Sequence, residues 1–386
     1  MTAGGARDLL PSASPVQLID QNGVATPSDE YTMPPDATLL DCFGRLVVGR
    51  RFDQQATALT RQGRLAVYPS SLGQEACQVG PAVALRATDW MFPTYRETVA
   101  LVSRGIPPGE ALGLLRGSEH CGYDPRTYRT APQCTPLATQ AVHAVGLALA
   151  ARMKHEQVVV LSFLGDGATS EGDTHEALNF AAVLGAPVVF FVQNNQYAIS
   201  VPVSEQTRAP SLAHKAVGYG MPGVLVDGND VAAVVAVLER ATAHARAGEG
   251  PTLVEAVTFR MEAHTNADDA DRYRLSSEVE NWRSRDPIVR LAAYLRNRSV
   301  LDDEIVAAVN VRAESLASRT REELGTDPEL DPESLFDHVY GTRRAQLDSQ
   351  RALLREELAA ERDVVVDGEP QRDLQSADVR PVMQAS

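Results

Sequence analysis

The sequence predicts an α/β fold in which a mostly parallel sheet carries helices on both faces, with a helical region at the C-terminus. Apolar runs without polar alternation recur through the middle of the chain, as strands buried on both faces require. Stretches of helical period separate those runs, the pattern of strand–helix–strand units. With 386 residues, 44% of them hydrophobic, the chain can bury a large core without disulfides or a structural metal.

In order, residues 1–36 read as an extended, poorly structured arm with prolines at 11, 15, 27, 34 and 35. A helix is predicted over 37–62, where Leu39, Leu40, Phe43, Leu46 and Val47 fall at helical spacing, and Gly63 stops it. Ser71-Leu72-Gly73-Gln74 has the form of a capping box that opens a helix over 75–85. Gln140 to Arg152 reads as a helix of small residues made for close packing. Strands follow at 158–164, 187–192, 224–226 and 252–259, with helices at 173–184 and 231–247 between them. The α/β domain is expected to span 37–300 and a charged helical region 301–362, interrupted by Pro328 and Pro332. The composition of 363–386 is that of a flexible tail.

Thirty-six basic against 51 acidic residues give a net charge of −15, with no basic run, which argues against nucleic acid or an acidic membrane surface as partner. No apolar run is long enough to span a bilayer. Only Lys154 and Lys215 are lysines, which reads as composition rather than function. Cys42, Cys77, Cys121 and Cys134 form no CxxC pair, and no export or organelle signal is visible at the start, so a reduced cytoplasmic protein is expected.

Open α/β sheets bind ligands at the carboxyl ends of their strands, and the polar residues of this chain gather there. The 158–164 strand runs into Gly165-Asp166-Gly167-Ala168, the next into Gln193-Asn194-Asn195-Gln196-Tyr197, and the last into Arg260 and His264. The glycines expose backbone N–H groups to an anion, and Asp166 supplies a hard oxygen suited to Mg²⁺. Asn195 lies 195 − 166 = 29 residues on, one crossover away, so a carboxylate and an amide oxygen meet at neighbouring strand ends. A metal-bridged diphosphate suits that pair. A nicotinamide dinucleotide would want a third glycine where Ser170 stands and an acidic residue ending the next strand, which here ends in amides.

The segment from Gly165 to Asn195 resembles the thiamine diphosphate motif. From about Leu39 to Tyr340 the chain resembles the α subunit of the two-subunit E1 component of 2-oxoacid dehydrogenase complexes. The match rests on Phe92-Pro93-Thr94-Tyr95-Arg96-Glu97, Thr135-Pro136-Leu137-Ala138-Thr139-Gln140, Gly165 to Asp173, Tyr197-Ala198-Ile199-Ser200, Val226 to Asp230 and His264 to Asp269. Ser170-Glu171-Gly172-Asp173 and Tyr197-Ala198-Ile199-Ser200 look like the branched-chain members. A pyruvate or acetoin dehydrogenase α subunit is the alternative within the class.

The resemblance implies a thiamine diphosphate-binding fold, with Asp166, Asn195 and the main-chain carbonyl of Tyr197 on Mg²⁺. It places Gly165, Gly167 and Ala168 beside the diphosphate and Tyr95 and Arg96 on the cofactor. Thr135 and Leu137 would line the thiazolium region, and His264 would lie near the reacting centre as a proton donor, an acceptor or an orienting cation. Arg260 is a second candidate anion contact, because a guanidinium fork suits phosphate. Tyr95, Arg96 and His264 are thus the expected catalytic set. It further implies oxidative decarboxylation of branched-chain 2-oxoacids with acyl transfer to a lipoylated E2 acyltransferase. A β subunit would carry the carboxylate that activates the cofactor, in an α₂β₂ assembly.

The chain departs from the mammalian branched-chain pattern in carrying Gln193 for an arginine, Cys134 for a serine in the loop tied to a structural monovalent cation, and Thr265 for a regulatory phosphoserine. Duller alternatives exist: Arg96 paired to Glu97, His264 as a satisfied loop histidine, Tyr95 as core, and the run from Asp268 to Arg274 as a solvated loop.

Overall fold

Five strands form one parallel sheet in the computed structural model, which describes residues 9–118, 120–325 and 331–366. They are β1 (Trp90–Phe92), β2 (Val160–Gly165), β3 (Val188–Asn194), β4 (Gly223–Asp227) and β5 (Thr252–Val257), in the order β1-β2-β3-β5-β4. β1 was not foreseen: Trp90-Met91-Phe92 is apolar, but three residues are too short a run to read as a strand. The last strand is shorter than its predicted 252–259, yet strand-like pairing continues past it, with Thr258 N donating to Asn194 O at 2.9 Å and Arg260 N to Asn195 O at 3.3 Å.

The apolar runs cover two faces because successive side chains of a strand point to opposite sides. Leu161, Phe163, Val189, Phe191 and Val254 face one core. It is covered by α1 (Asp36–Arg61), α2 (Glu75–Ala84) and, later in the chain, the helix over Val231–Arg246. Val160, Leu164, Val188, Phe190 and Val192 face the other, under α3 (Thr139–Met153) and α4 (Gly172–Leu184). Both faces are alanine-rich, so the helices sit close. After α5 (Val231–Arg246) come α6 (Pro287–Asn297) and α7 (Asp303–Glu323), and α7 buries Val309, Ala313 and Ala317.

The chain divides into two compact units, 1–326 and 327–386. The second contains a 3₁₀ turn, Pro332–Phe336, and α8 (Ala345–Val366), with Arg351 donating to Asp337 at 2.7 Å. Pro332 opens that turn rather than breaking a helix. Pro328 lies outside the described residues, and so does the expected tail beyond residue 366.

Two local expectations fail. Ser71 does not cap α2: its hydroxyl donates to the Arg96 carbonyl at 3.0 Å and accepts from Gln78, so it ties α2 to the Tyr95–Arg96 segment instead. Nor is the described part of the arm poorly structured. Val16 pairs with Val226 at the β4 edge, and Leu18 and Ile19 are buried with their N–H groups 2.7 Å from Asp230 Oδ2. Asp230 Oδ1 meanwhile caps α5 through the N–H groups of Ala232 and Ala233. One buried carboxylate thus answers four donors, which is why irregular backbone can be held against the sheet. Among the described residues no helix is long and apolar enough to cross a membrane.

Asp230→Ala should strand those donors and remove the cap, costing about 3 kcal/mol in urea unfolding and speeding proteolysis within residues 9–30. An unchanged unfolding midpoint would refute this account of the arm.

Candidate active site

Register brings the expected residues together. Gly165 of β2 pairs with Gln193 of β3, and Asn194 pairs with Val257 of β5, so Asp166, Asn195 and the Arg260 segment emerge side by side. Tyr95, Arg96, Thr135, Leu137, Gly165, Asp166, Gly167, Ala168, Asn195, Tyr197, Arg260 and His264 all line one cavity of about 490 Å³.

At its floor three oxygens converge. The outer amide atom of Asn195, placed as Oδ1, lies 3.1 Å from the Tyr197 carbonyl oxygen and 3.3 Å from Asp166 Oδ1, while Nδ2 donates to Gln74 Oε1 at 3.1 Å. Rotating the amide would put an N–H at the same point. Either a proton or a cation must therefore stand among these groups, and adjacent oxygens on octahedral Mg²⁺ are about 3 Å apart at the usual bond length. The donor set is one carboxylate, one amide and one carbonyl, all hard oxygens, which fits Mg²⁺ and not a thiolate- or imidazole-loving metal. Among the described residues no cluster of three His, Cys, Asp or Glu offers an alternative.

Asp166 is 1% exposed. Burial pushes its carboxyl pKa up, against the hydrogen bond from Gln206 Nε2 at 2.6 Å and the charge of Arg260. A buried carboxylate without an ion-pair partner is stabilised by a cation more than by anything else the site could take.

Space and backbone suit a ligand there. A Cβ on Gly167 would lie 2.7 Å from Ala198 Cβ, so that turn packs directly on the short Tyr197–Ala198 and Val201–Pro202 hairpin. Nothing lies within 4 Å of a Cβ on Gly165, which leaves room over the strand end. Gln196 and Ile199 hold positive φ angles of 77° and 54° without being glycines, backbone strain that flanks the Tyr197 carbonyl.

The cation side of the cavity is built from arginines. Arg96 is buried and does not pair with Glu97: Nη1 donates to Ser70 O at 2.9 Å and Nη2 to the His264 carbonyl at 3.1 Å. Arg260 is the largest fully buried side chain. Its Nη atoms donate to the carbonyls of Tyr197 at 3.2 Å and Ile199 at 2.7 Å and to Tyr273 Oη at 2.9 Å, while Nε is buried without a partner. Arg260 therefore braces the oxygen-bearing loop and offers an anion little beyond its charge and Nε–H.

His264 Nδ1 lies 3.2 Å from Arg96 Nη2 and 3.3 Å from Arg260 Nη1. Guanidinium groups only donate, so Nδ1 accepts and the ring proton sits on Nε2. Burial, then Arg96 and Arg260, push the imidazole down to about 4. The two positive neighbours work against the orienting-cation role expected as one alternative for His264. Tyr95 is half-buried and edge-on to His264 with ring centroids 6.0 Å apart, not core. The loop after His264 is tied down, with His264 N donating to Asp268 at 2.9 Å and Tyr273 Oη bonding the same carboxylate.

Several partners left no sequence signal. Gln206 on Asp166, Glu278 on the Tyr197 hydroxyl at 3.1 Å, and Gln74 on Asn195 all arrive from distant segments. Gln193 donates to the buried Glu97 carboxylate at 2.6 Å, where burial raises the Glu97 pKa.

A cavity of this chemistry at the strand ends of a two-faced parallel sheet defines an α/β enzyme that holds a small polar ligand outside the carboxyl edge. Residues 44–333 match the family described as dehydrogenase E1 component. The chain is 50% identical over 346 residues, 89% of its length and 94% of the relative's, to the 3-methyl-2-oxobutanoate dehydrogenase subunit alpha of Mycobacterium tuberculosis. It is 36% identical over 342 residues, 88% of its length and 92% of the relative's, to the pyruvate dehydrogenase E1 component subunit alpha of Staphylococcus aureus. The chain belongs to the dehydrogenase E1 component family.

With its pKa below the ordinary 6.5, His264 stays neutral in the folded chain while the unfolded chain takes up a proton, so its contribution lowers stability as pH falls from about 6.5 to about 4. Histidine-selective NMR, with His264→Gln to identify the signal, should show a midpoint near 4 that rises in Arg96→Met. A midpoint of 6.5 would contradict the arrangement.

Proposed function

We propose that this chain is the α subunit of a branched-chain 2-oxoacid dehydrogenase E1, active only with a β subunit and acting on 3-methyl-2-oxobutanoate and its homologues. E1 dehydrogenases depend on thiamine diphosphate. When bound, that cofactor supplies the nucleophilic carbon and the electron sink for decarboxylation of a 2-oxoacid. The observation that carries the reading is the convergence of Asp166, Asn195 and the Tyr197 carbonyl on one point beside an open Gly165. These three would hold Mg²⁺, whose remaining positions suit phosphate oxygens.

The rest follows from the chain's own groups. Gly167 and Ala168 line the cavity, and Arg96 and Arg260 add positive charge beside them, which favours a diphosphate over a neutral ligand. His264 presents Nε2–H as a donor, because both arginines occupy the other nitrogen. A neutral donor of this kind can stabilise developing negative charge on a substrate oxygen without itself being a charge that must be desolvated. Thr135 and Leu137 form an exposed part of the cavity wall. That opening, with the exposed Val142, Met153, Phe180 and Val183 on α3 and α4, supports a covering β subunit that completes the site. Acyl transfer to a lipoylated E2 would then proceed from the shared cavity. Gln140 Oε1, in the first turn of α3 just after the Cys134 loop, is buried without a partner among the described residues, which would suit a structural monovalent cation.

The 50% identical relative favours a branched-chain substrate and the 36% identical relatives favour pyruvate. The purified α/β assembly should turn over 3-methyl-2-oxobutanoate and 4-methyl-2-oxopentanoate at least tenfold faster than pyruvate by kcat/KM, and the reverse ranking would reassign it. Asp166→Ala in the same assembly should abolish Mg²⁺-dependent retention of thiamine diphosphate while leaving circular dichroism unchanged. Cofactor retained at wild-type affinity would sink the metal assignment. The α chain alone should not decarboxylate.

A further inference from the structure

Behind the three converging oxygens lies a second layer that the proposed chemistry does not use. The 3₁₀ helix Leu212–Tyr219 packs against β4 and β5. It is seated on β4 with no slack: a Cβ on Gly223 would fall 2.3 Å from the Ala213 carbonyl oxygen. From this one helix two contacts reach out, one through the Lys215 ammonium and one through the Ala213 N–H. Lys215 Nζ donates to Thr169 O at 2.8 Å and Thr169 Oγ1 at 2.9 Å, and Thr169 Oγ1 in turn donates to the Asp166 carbonyl at 2.8 Å. On the other side Glu255, 1% exposed, accepts from Ala213 N at 2.7 Å and from Asn194 Nδ2 at 2.7 Å. Asn194 Oδ1 then accepts the Gln196 N–H at 3.1 Å, which fixes the turn that carries Asn195.

Asp166 and Asn195 are therefore both referred to the same rigid helix, one through a lysine and one through a glutamate. Glu255 is buried and Lys215 half-buried, and both are satisfied by these contacts. At position 215 the helix carries a lysine. Its compact ammonium meets both oxygens of a single threonine, a geometry a planar guanidinium does not match.

We propose that Glu255 and Lys215 are positioning residues that set the separation between Asp166 and Asn195, and so the size of cation the site accepts. This rests on the metal reading above. It predicts discrimination between Mg²⁺ and the larger Ca²⁺, because a loosened grip penalises the small ion, which demands tight octahedral geometry, more than the large one.

The test uses the α/β assembly, with thiamine diphosphate retention measured by equilibrium dialysis across Mg²⁺ and, separately, Ca²⁺ concentrations. Lys215→Met and Glu255→Gln should each raise the Mg²⁺ half-saturation about tenfold, a typical effect of a group behind a ligand, while leaving that for Ca²⁺ within about twofold. Lys215→Arg should restore part of the preference. An unchanged ratio of the two half-saturations in both variants, or equal weakening for both ions with a lowered Tm, overturns the proposal. If Glu255→Gln fails to assemble, Lys215→Met decides alone, since its ammonium is only half-buried. Asp166→Ala run alongside separates the two ideas: if it binds cofactor normally with Mg²⁺, the metal reading falls, whereas its loss beside unchanged Lys215 and Glu255 variants removes only the positioning role.

Discussion

Asp166, a buried carboxylate with no ion-pair partner among the described residues, organises the carboxyl edge of this sheet. Asp166 sits on the turn after β2, shielded from water, facing an amide from β3 and a main-chain oxygen two residues further on. Three oxygens in mutual contact are unfavourable unless a cation stands among them or the Asn195 amide turns its N–H towards the other two. Much of the surrounding structure reads as a response: Gln206 from one side, the braced Tyr197 carbonyl from the other, and strained φ angles on either side of that carbonyl.

The opposite charge is handled with the same economy. Arg96 and Arg260 are both buried, and both point guanidinium donors at one imidazole nitrogen. Two like charges so close are tolerated because carbonyl oxygens of Ser70, Tyr197, Ile199 and His264 absorb most of their donors. The consequence is chemical as well as structural, for the histidine tautomer is dictated by its neighbours. A residue that in isolation would titrate near neutrality is pushed towards its neutral form, with Nδ1 as the acceptor.

Distance from the site does not mean independence from it. The Tyr95–Arg96 segment is held by Ser71 and Gln78 through the Arg96 carbonyl, and Ser70 and Ser71 are in turn held by the buried Asp53. α1 thereby reaches the cavity through a chain of short polar contacts. The N-terminal arm is fastened in the same style, by one carboxylate that serves both it and α5.

The sequence alone determined the parallel sheet, the helices on its two faces and the gathering of Asp166, Asn195, Arg260 and His264 at its edge, because strand and helix periods and strand-end position are local properties of the chain. Short or irregular pieces escaped it. β1 is only three residues, Ser71 looked like a cap but serves a different segment, and the arm lacks periodicity although buried donors pin it. What only the tertiary structure decided is how each site group behaves. The protonation of His264, the commitment of Arg260 to carbonyls, and the shared reference of Lys215 and Glu255 all depend on partners tens to hundreds of residues away. Hydrogen bonds and burial act through space, and no spacing along the chain encodes which of those distant groups will meet.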